Sequence, residues 1–472
     1  MRSFRILLII FCSTVSVFVR AQVAEKWTLE KCIDYAFKNN IQVRQAELTS
    51  KISANDNLQS KLNMLPSVDG NVNFSNNFGN GFNPQTYSFA EGTSQSMQAS
   101  LQGSLPIFTG LQQIFNTERT KYDLLASKFD FENAKNNVAL SIASGYLQAL
   151  LNKEILKVAQ RQKELTELQR NTLSAKIKSG TMPETSAYEV EAQLARDEAN
   201  IVNAQNAVNL SLLSLKQLLQ IADKDFDIDA PEITVETLES IASLTSQSVF
   251  DYAVSNQPAV KSAEARVKSA NASRKISLGA LSPTIAVFGT LSTSYFSSDK
   301  KITGYTTLVD SSLGFPIPYK SPLYGDKPFK DHLSDNFRKA VGVSLNIPLF
   351  SKWQRVTNIQ NARLQMQIRE LLLDNAKNQL RQDIELAYNN AAAAIQSYNA
   401  NSKSLLSARK SYDAFEKRYA SGLLGNYELQ QSKNTLAVAE SELIKAKYTY
   451  IFRLKVLDFY QGKPLRLSNS KL

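Results

Sequence analysis

The chain has 472 residues, with 54 Lys and Arg against 43 Asp and Glu, a formal net charge of +11, one His and two Cys. The basic excess is spread along the chain and interleaved with acids, without a basic block or a zinc or RNA-binding signature. It therefore reads as solvated helix faces, and nucleic acid is not an expected partner. No motif for catalysis, a cofactor or a metal centre is present, so the chain does not read as an enzyme.

Arg2 and Arg5 precede an apolar stretch, Ile6 to Val19, and Val19 and Ala21 are suitably small or aliphatic for a cleavage site before Gln22. This is the layout of a secretory signal peptide over 1–21. As a membrane anchor the stretch is too short for a hydrocarbon core ~30 Å thick. Cys12 lacks the small preceding residues of a lipoprotein site. Once the leader is removed only Cys32 remains, and no internal disulfide can form. No later run supplies the ~18 apolar residues of a spanning helix.

Behind the leader the sequence is duplicated. Asp34-Tyr35-Ala36, Asn39 and Val43 recur as Asp251-Tyr252-Ala253, Asn256 and Val260, displaced by 217 residues (251 − 34), as are Pro66 and Pro283. Leu105-Pro106-Ile107-Phe108 recurs as Ile347-Pro348-Leu349-Phe350, displaced by 242 (348 − 106). That spacing persists through Tyr146 and Tyr388 to Ser179-Gly180 and Ser421-Gly422. The longer second copy carries its extra residues between Pro283 and Pro348. The repeats are 22–220 and 248–461, with a linker at 221–247 and a tail at 462–472. Each is predicted to run helix, strand pair, very long helix, glycine turn, helix.

Between the prolines the pattern has period two. Val68, Val72, Phe74 and Phe78 alternate with Asp69, Asn71, Asn73, Ser75 and Asn77; Met97, Ala99, Leu101 and Leu105 alternate with Gln and Ser. The second copy repeats this with Ile285, Val287, Leu291 and Tyr295, then Val341, Val343, Leu345 and Ile347. The predicted strands are 67–78, 94–105, 284–296 and 337–347, with turn-rich loops at 79–93 and 297–336. Apolar-out, polar-in alternation fits tilted strands of a membrane barrel, and equally an antiparallel sheet with one wet face. Export, and the lack of any other globular core, favour the barrel. Four strands cannot close one, and open edges are not tolerated in lipid, so the chain must oligomerise through its strands.

The helices show a narrow seam. Leu429, Leu436, Ala439, Leu443, Ala446 and Tyr450 follow at coiled-coil spacing, as do Leu194, Ile201, Ala204, Val208 and Leu215. The long helix from about Gln112 to Ser179 would span on the order of 100 Å.

The duplicated halves, the paired Leu-Pro-Ile-Phe and Ile-Pro-Leu-Phe junctions, and the Ser-Gly turns at Gly180 and Gly422 resemble the TolC-like outer-membrane efflux proteins. The resemblance implies an α+β membrane protein: a homotrimer whose four strands per chain make a twelve-stranded barrel in outer-membrane lipid, above a helical tunnel in the periplasm. It also implies an exit duct of a tripartite efflux or type I secretion system, with a periplasmic adaptor and an inner-membrane transporter as partners. In the family a Tyr, Gly, Arg and two acids at the second turn hold the entrance. Tyr419, Gly422 and Glu428 match, while Leu424 replaces the Arg and Gln431 the second acid. Tyr419 and Glu428 are thus the gate candidates, and Ser179, Gly180, Ser421, Gly422 and Leu423 the adaptor-docking turns. The rival readings are an exported coiled-coil scaffold with a soluble sheet, and an autonomous porin. His332, the lone histidine, is expected on the surface of the second loop. Asp223, Asp225, Asp227 and Asp229 lack the glycine and bidentate Glu of a calcium loop; with Phe226 and Ile228 between them, they read as a half-exposed strand.

Overall fold

The computed structural model describes residues 26–83, 88–221, 226–230, 245–310 and 314–465. The predicted leader, most of the linker, the end of the tail, and Asp223 and Asp225 lie outside these. In the first repeat, α1 (Leu29–Asn39) and α2 (Ile41–Leu62) lead to strands β1 (Ser67–Asn83) and β2 (Ser88–Phe108), then to helices α3 (Gln112–Lys178) and α4 (Thr185–Leu219). In the second repeat, α5 (Ser246–Asn256) and α6 (Pro258–Gly279) lead to β3 (Thr284–Phe296). An insertion follows, made of β4 (Lys300–Asp310), β5 (Ile317–Asp326) and α7 (Phe329–Asp335). The repeat ends with β6 (Arg338–Asn346), α8 (Gln354–Ala420) and α9 (Asn426–Tyr460). Helices α3 and α8 each have 67 residues, about 100 Å at a rise of 1.5 Å per residue.

The chain divides into two compact units, one formed by Met1–Ser50, Ala126–Ala263 and Leu372–Leu472, the other by Lys51–Leu125 and Glu264–Leu371. The first is helical. Thr28 caps α1 by accepting a hydrogen bond from the Lys31 amide at 3.2 Å, which satisfies one free N–H of the first turn. Its core carries the duplication into packing. Cys32, Ala36, Val43, Val138, Ile142 and Leu215 form one buried cluster. Val249, Ala253, Val260, Leu380, Ile384 and Leu457 form another. The first three pairs are 217 residues apart and the last three 242, the same two displacements as in the sequence. Cys32 is a buried free thiol whose pKa burial pushes up to about 12, so it is inert. Phe226 and Ile228 are buried, and Ile228 bridges Trp27, so the described part of the acidic run does alternate. Asp227 pairs with Lys153. Tyr146 is buried, donating to the carbonyls of Trp27 at 3.0 Å and Asp229 at 2.7 Å.

The second unit holds a four-stranded antiparallel sheet in the order β1-β2-β3-β6. Its register answers whether the four apolar patterns coincide. Phe74 stands opposite Met97 and Met97 opposite Tyr295; Leu105 stands opposite Val287 and Val287 opposite Val343. Side chains of directly opposed residues share a face. All four apolar sets therefore lie on one side, and Asn73, Gln98, Ser100, Thr290 and Ser344 on the other. Phe78 is 77% exposed and Val341 86% on that apolar face.

Two loop expectations are corrected. Residues 79–93 are mostly strand: β1 runs to Asn83 and β2 begins at Ser88, because pairing continues through Gly79↔Gly92 and Phe82↔Phe89. Residues 297–336 hold a second hairpin, β4 against β5, and the short helix α7. Turn-rich composition hid both, since Gly and Pro interrupt the pairs without ending them.

At the sheet-to-helix junctions the repeat is visible in the backbone. Gly110 and Leu111 have φ of 63° and 62°, and Lys352 and Trp353, displaced by 242 residues, have 50° and 65°. Gly110 also lies so close to α6 that a Cβ there would stand 2.3 Å from the Gly279 carbonyl oxygen. Only glycine allows that crossing.

The sheet gives a direct test of its faces. Arg at Val343 should cost roughly 2–4 kcal/mol in a bilayer, whereas Arg at neighbouring Ser344 should be tolerated. Urea unfolding of protein folded into vesicles measures both, and equal effects would mean the faces are assigned wrongly.

Candidate functional site

The glycine turns close in the same way. At the end of α3, Gly180 donates to the Ile177 carbonyl at 2.9 Å and Thr181 to that of Lys176 at 3.0 Å; at the end of α8, Gly422 donates to Tyr419 and Leu423 to Arg418, both at 3.0 Å. Both glycines have φ of 74°. This is a Schellman closure, in which a left-handed residue satisfies the last carbonyls of a helix. Ser179 and Ser421 donate their hydroxyls to the carbonyls of Lys176 and Lys417. Both turns are exposed, and Leu423 presents an apolar side chain to solvent. The five residues expected to form a docking surface thus sit on two exposed, matching tips.

Tyr419 is half-buried at the end of α8. The Lys176 ammonium lies 5.0 Å from its ring centre. Burial, with Glu189 nearby, holds its hydroxyl above the usual phenol range. Glu428 is exposed in the first turn of α9, where its carboxylate folds back over the N-cap Gly425: a Cβ there would be 2.7 Å from Oε2. A negative charge at a helix N-terminus is favoured by the dipole, so Glu428 has a local role whatever it does at an entrance. Leu424 is partly buried and Gln431 exposed. Gln431 lines an open cleft of about 660 Å³ together with Glu189, Arg196, Asn426 and Tyr427.

A buried polar network beside these residues was not anticipated. Asp197 on α4 is 1% exposed and Lys433 on α9 is 3%. Thr166 on α3 joins them, donating to Asp197 at 2.5 Å and accepting from Lys433 at 2.7 Å. Gln193 donates to Asp197 at 2.8 Å. A second chain runs from Gln430 through Gln169 and Asn426 to Glu189, with each bond between 2.7 and 2.9 Å. Burial pulls the Lys433 pKa down to about 8, against the opposing pull of Asp197. The sequence did hold a signal. Each helical seam skips a step, from Leu194 to Ile201 and from Leu429 to Leu436, and Asp197 and Lys433 fall inside those gaps.

His332 corrects its expectation: it is 1% exposed, not a surface residue. Helix α7 folds back on β3, with the Thr293 hydroxyl donating to the Leu333 carbonyl at 2.8 Å and the Asn336 amide to that of Ser294 at 2.7 Å. This presses the imidazole edge-on against Tyr295, with centroids 4.7 Å apart. Among the described residues no group of acids, His and Cys is arranged to hold a metal ion. No described helix is long and apolar enough to cross a membrane.

The fold is that of solved transmembrane channel proteins. CusC superposes with a TM-score of 0.72 at 16% identity, covering 93% of each chain. Among curated proteins, outer membrane protein TolC of Escherichia coli (strain K12) is 22% identical over 329 residues, 68% of this chain. That match takes in 60% of the TolC length, so the chain spans less than two thirds of it. Outer membrane efflux protein BepC of Brucella suis biovar 1 is 20% identical over 431 residues, covering 91% of this chain and 84% of BepC. The family model for outer membrane efflux proteins matches residues 32–219 and 249–462. The chain belongs to that family, and its place is the outer membrane, with the helical part in the periplasm.

The buried network predicts a pH signature. A lysine whose folded pKa is about 8 binds fewer protons folded than unfolded up to the ordinary lysine value of 10.5. Stability therefore rises with pH between those values and is at its lower level below them. Lys433→Met should abolish that rise in a denaturant titration from pH 7 to 10. Asp197→Ala should destabilise by about 3–5 kcal/mol, because Lys433 is left buried without its carboxylate. A flat wild-type profile would place Lys433 in water.

Proposed function

We propose that the chain is one protomer of a trimeric exit duct that conducts substrates passively from an inner-membrane transporter and a periplasmic adaptor to the exterior, and that it catalyses no reaction. The sheet carries this reading. Its four strands share one apolar and one polar face, and β1 and β6 are both open edges. Edges of that kind cannot face lipid. Two copies would give ~8 strands with an interior filled by side chains, whereas three give ~12, wide enough for a bore. The leader at 1–21 is removed on export, and the repeats at 22–220 and 248–461 supply two structurally similar halves to each protomer.

The exposed turns at Ser179-Gly180 and Ser421-Gly422-Leu423 dock the adaptor. Tyr419 and Glu428 belong to the entrance. Three Glu428 carboxylates, one per protomer, form a negative ring there, where low-dielectric walls focus their field. Without the family's Arg at Leu424, closure relies on packing around Tyr419 and on the buried Thr166, Asp197 and Lys433 network, and so responds little to salt.

Two measurements test this. Gly422→Pro removes an N–H donor and cannot adopt a φ of 74°; it should abolish export while leaving the assembly intact. Retained export would move docking elsewhere. In a planar bilayer the channel should be cation-selective, with a conductance that falls on adding multivalent cations from the periplasmic side, and Glu428→Gln should weaken both effects. Unchanged selectivity and block in Glu428→Gln would reduce Glu428 to its favourable charge at the start of α9.

A further inference from the structure

The insertion between β3 and β6 leaves β4 and β5 as a two-stranded ribbon, paired from Lys300↔Asp326 to Asp310↔Ile317. The register puts Ile302, Tyr305 and Tyr324 on one face and Leu308, Tyr319 and Leu323 on the other. All six are exposed, Tyr305 to 64%. A lone two-stranded hairpin is marginally stable in water at best. Among the described residues, no other strand or helix packs along this one; Lys301 pairs with Asp331 near its base. A ribbon apolar on both faces needs a covering surface from outside the chain.

Its place in the topology identifies that surface. The ribbon leads through α7 directly into β6, one open edge of the sheet. At the other open edge, β1 and β2 run on past the last pairing of β2 with β3, Ser96↔Phe296, as far as Asn83 and Ser88. Both features lie at the same end of the sheet, where β1 and β3 finish and β2 and β6 begin. The overhang spans about 25 Å at ~3.3 Å per residue, and β4, with 11 residues, spans about 36 Å and so reaches along the whole of it. Within the overhang Phe78 is 77% exposed. If β6 of one chain pairs with β1 of the next, the next chain's overhang rises beside this chain's ribbon.

We propose that the β4–β5 hairpin is an intersubunit clasp that packs on the β1–β2 overhang of a second copy of this chain. The inference rests on the trimeric reading above and adds to it a contact outside the barrel wall. It explains why the second repeat carries an insertion that the first lacks: one clasp and one overhang per chain suffice for a closed, head-to-tail ring.

The test uses the full-length protein in mild detergent. Thr307→Cys on the hairpin and Asn80→Cys on the overhang are made singly and together, with buried Cys32 left in place. After a short bismaleimide, the double variant should run as covalent dimers and trimers on a denaturing gel, and each single variant as monomer. Cross-linking confined to one chain, or none in the double variant, would overturn the clasp. So would cross-linking by Thr307→Cys alone, which would mean that the hairpins meet each other. A complementary variant, Tyr305→Asp with Tyr319→Asp, should lower the heat-dissociation temperature of the assembly, and an unchanged temperature counts against the clasp. A protein that is not oligomeric before cross-linking would bring down the duct reading itself.

Discussion

The outer edges of β1 and β6 carry backbone N–H and C=O groups that no described strand of the same chain pairs with. In water such groups can be hydrated; in hydrocarbon each unsatisfied one costs several kcal/mol. The sheet cannot shed the problem by turning its apolar face inward, because the register places all four apolar sets on one side, where among the described residues the short helix α7 covers only the Tyr295 end of β3. A surface that wants lipid and edges that cannot enter it alone are reconciled only by strands from further copies. On the proposed reading, assembly and the bore both follow from that conflict.

The helical unit solves a different problem. Rods of 67 residues draw most of their stability from side-by-side packing rather than from propensity. The packing stripe is narrow, and in its lower part polar residues interrupt it. Buried polar groups of this kind contribute little net stability but are costly to mispair. The network of Thr166, Asp197 and Lys433 therefore fixes which helices sit together and in what register. It ties α3, α4 and α9 together near the turns, where the two Schellman closures leave the helix ends exposed. On the proposed reading, an entrance built on such contacts opens by exchanging one set of hydrogen bonds for another without losing an apolar core.

Much of this was legible in the sequence, and the reasons are specific. The duplication survived into packing because both displacements, 217 and 242, recur in the buried clusters headed by Cys32 and Val249. Period-two alternation gave the sheet faces, since a one-residue slip would have inverted them. Pro66 and Pro283 marked strand starts, and the paired glycines marked the turns. The β4–β5 ribbon escaped notice because Pro316, Pro318 and Pro322 read as loop, although prolines sit comfortably on strands whose edges are free. His332 differs from its expected exposure for the same reason: turn-rich composition reads as surface loop, but α7 folds the imidazole against Tyr295. Asp197 and Lys433 occupy the gaps in the apolar seam, where a broken period marks buried polar pairing.

The central claim is that copies of the chain close the sheet. Native mass spectrometry of the full-length protein, extracted from the outer-membrane fraction in mild detergent, tests it most directly. The account predicts a single species of three chains, unchanged by dilution. A monomer recovered in the soluble periplasmic fraction would contradict it, since the apolar face and both edges would then be at rest in water.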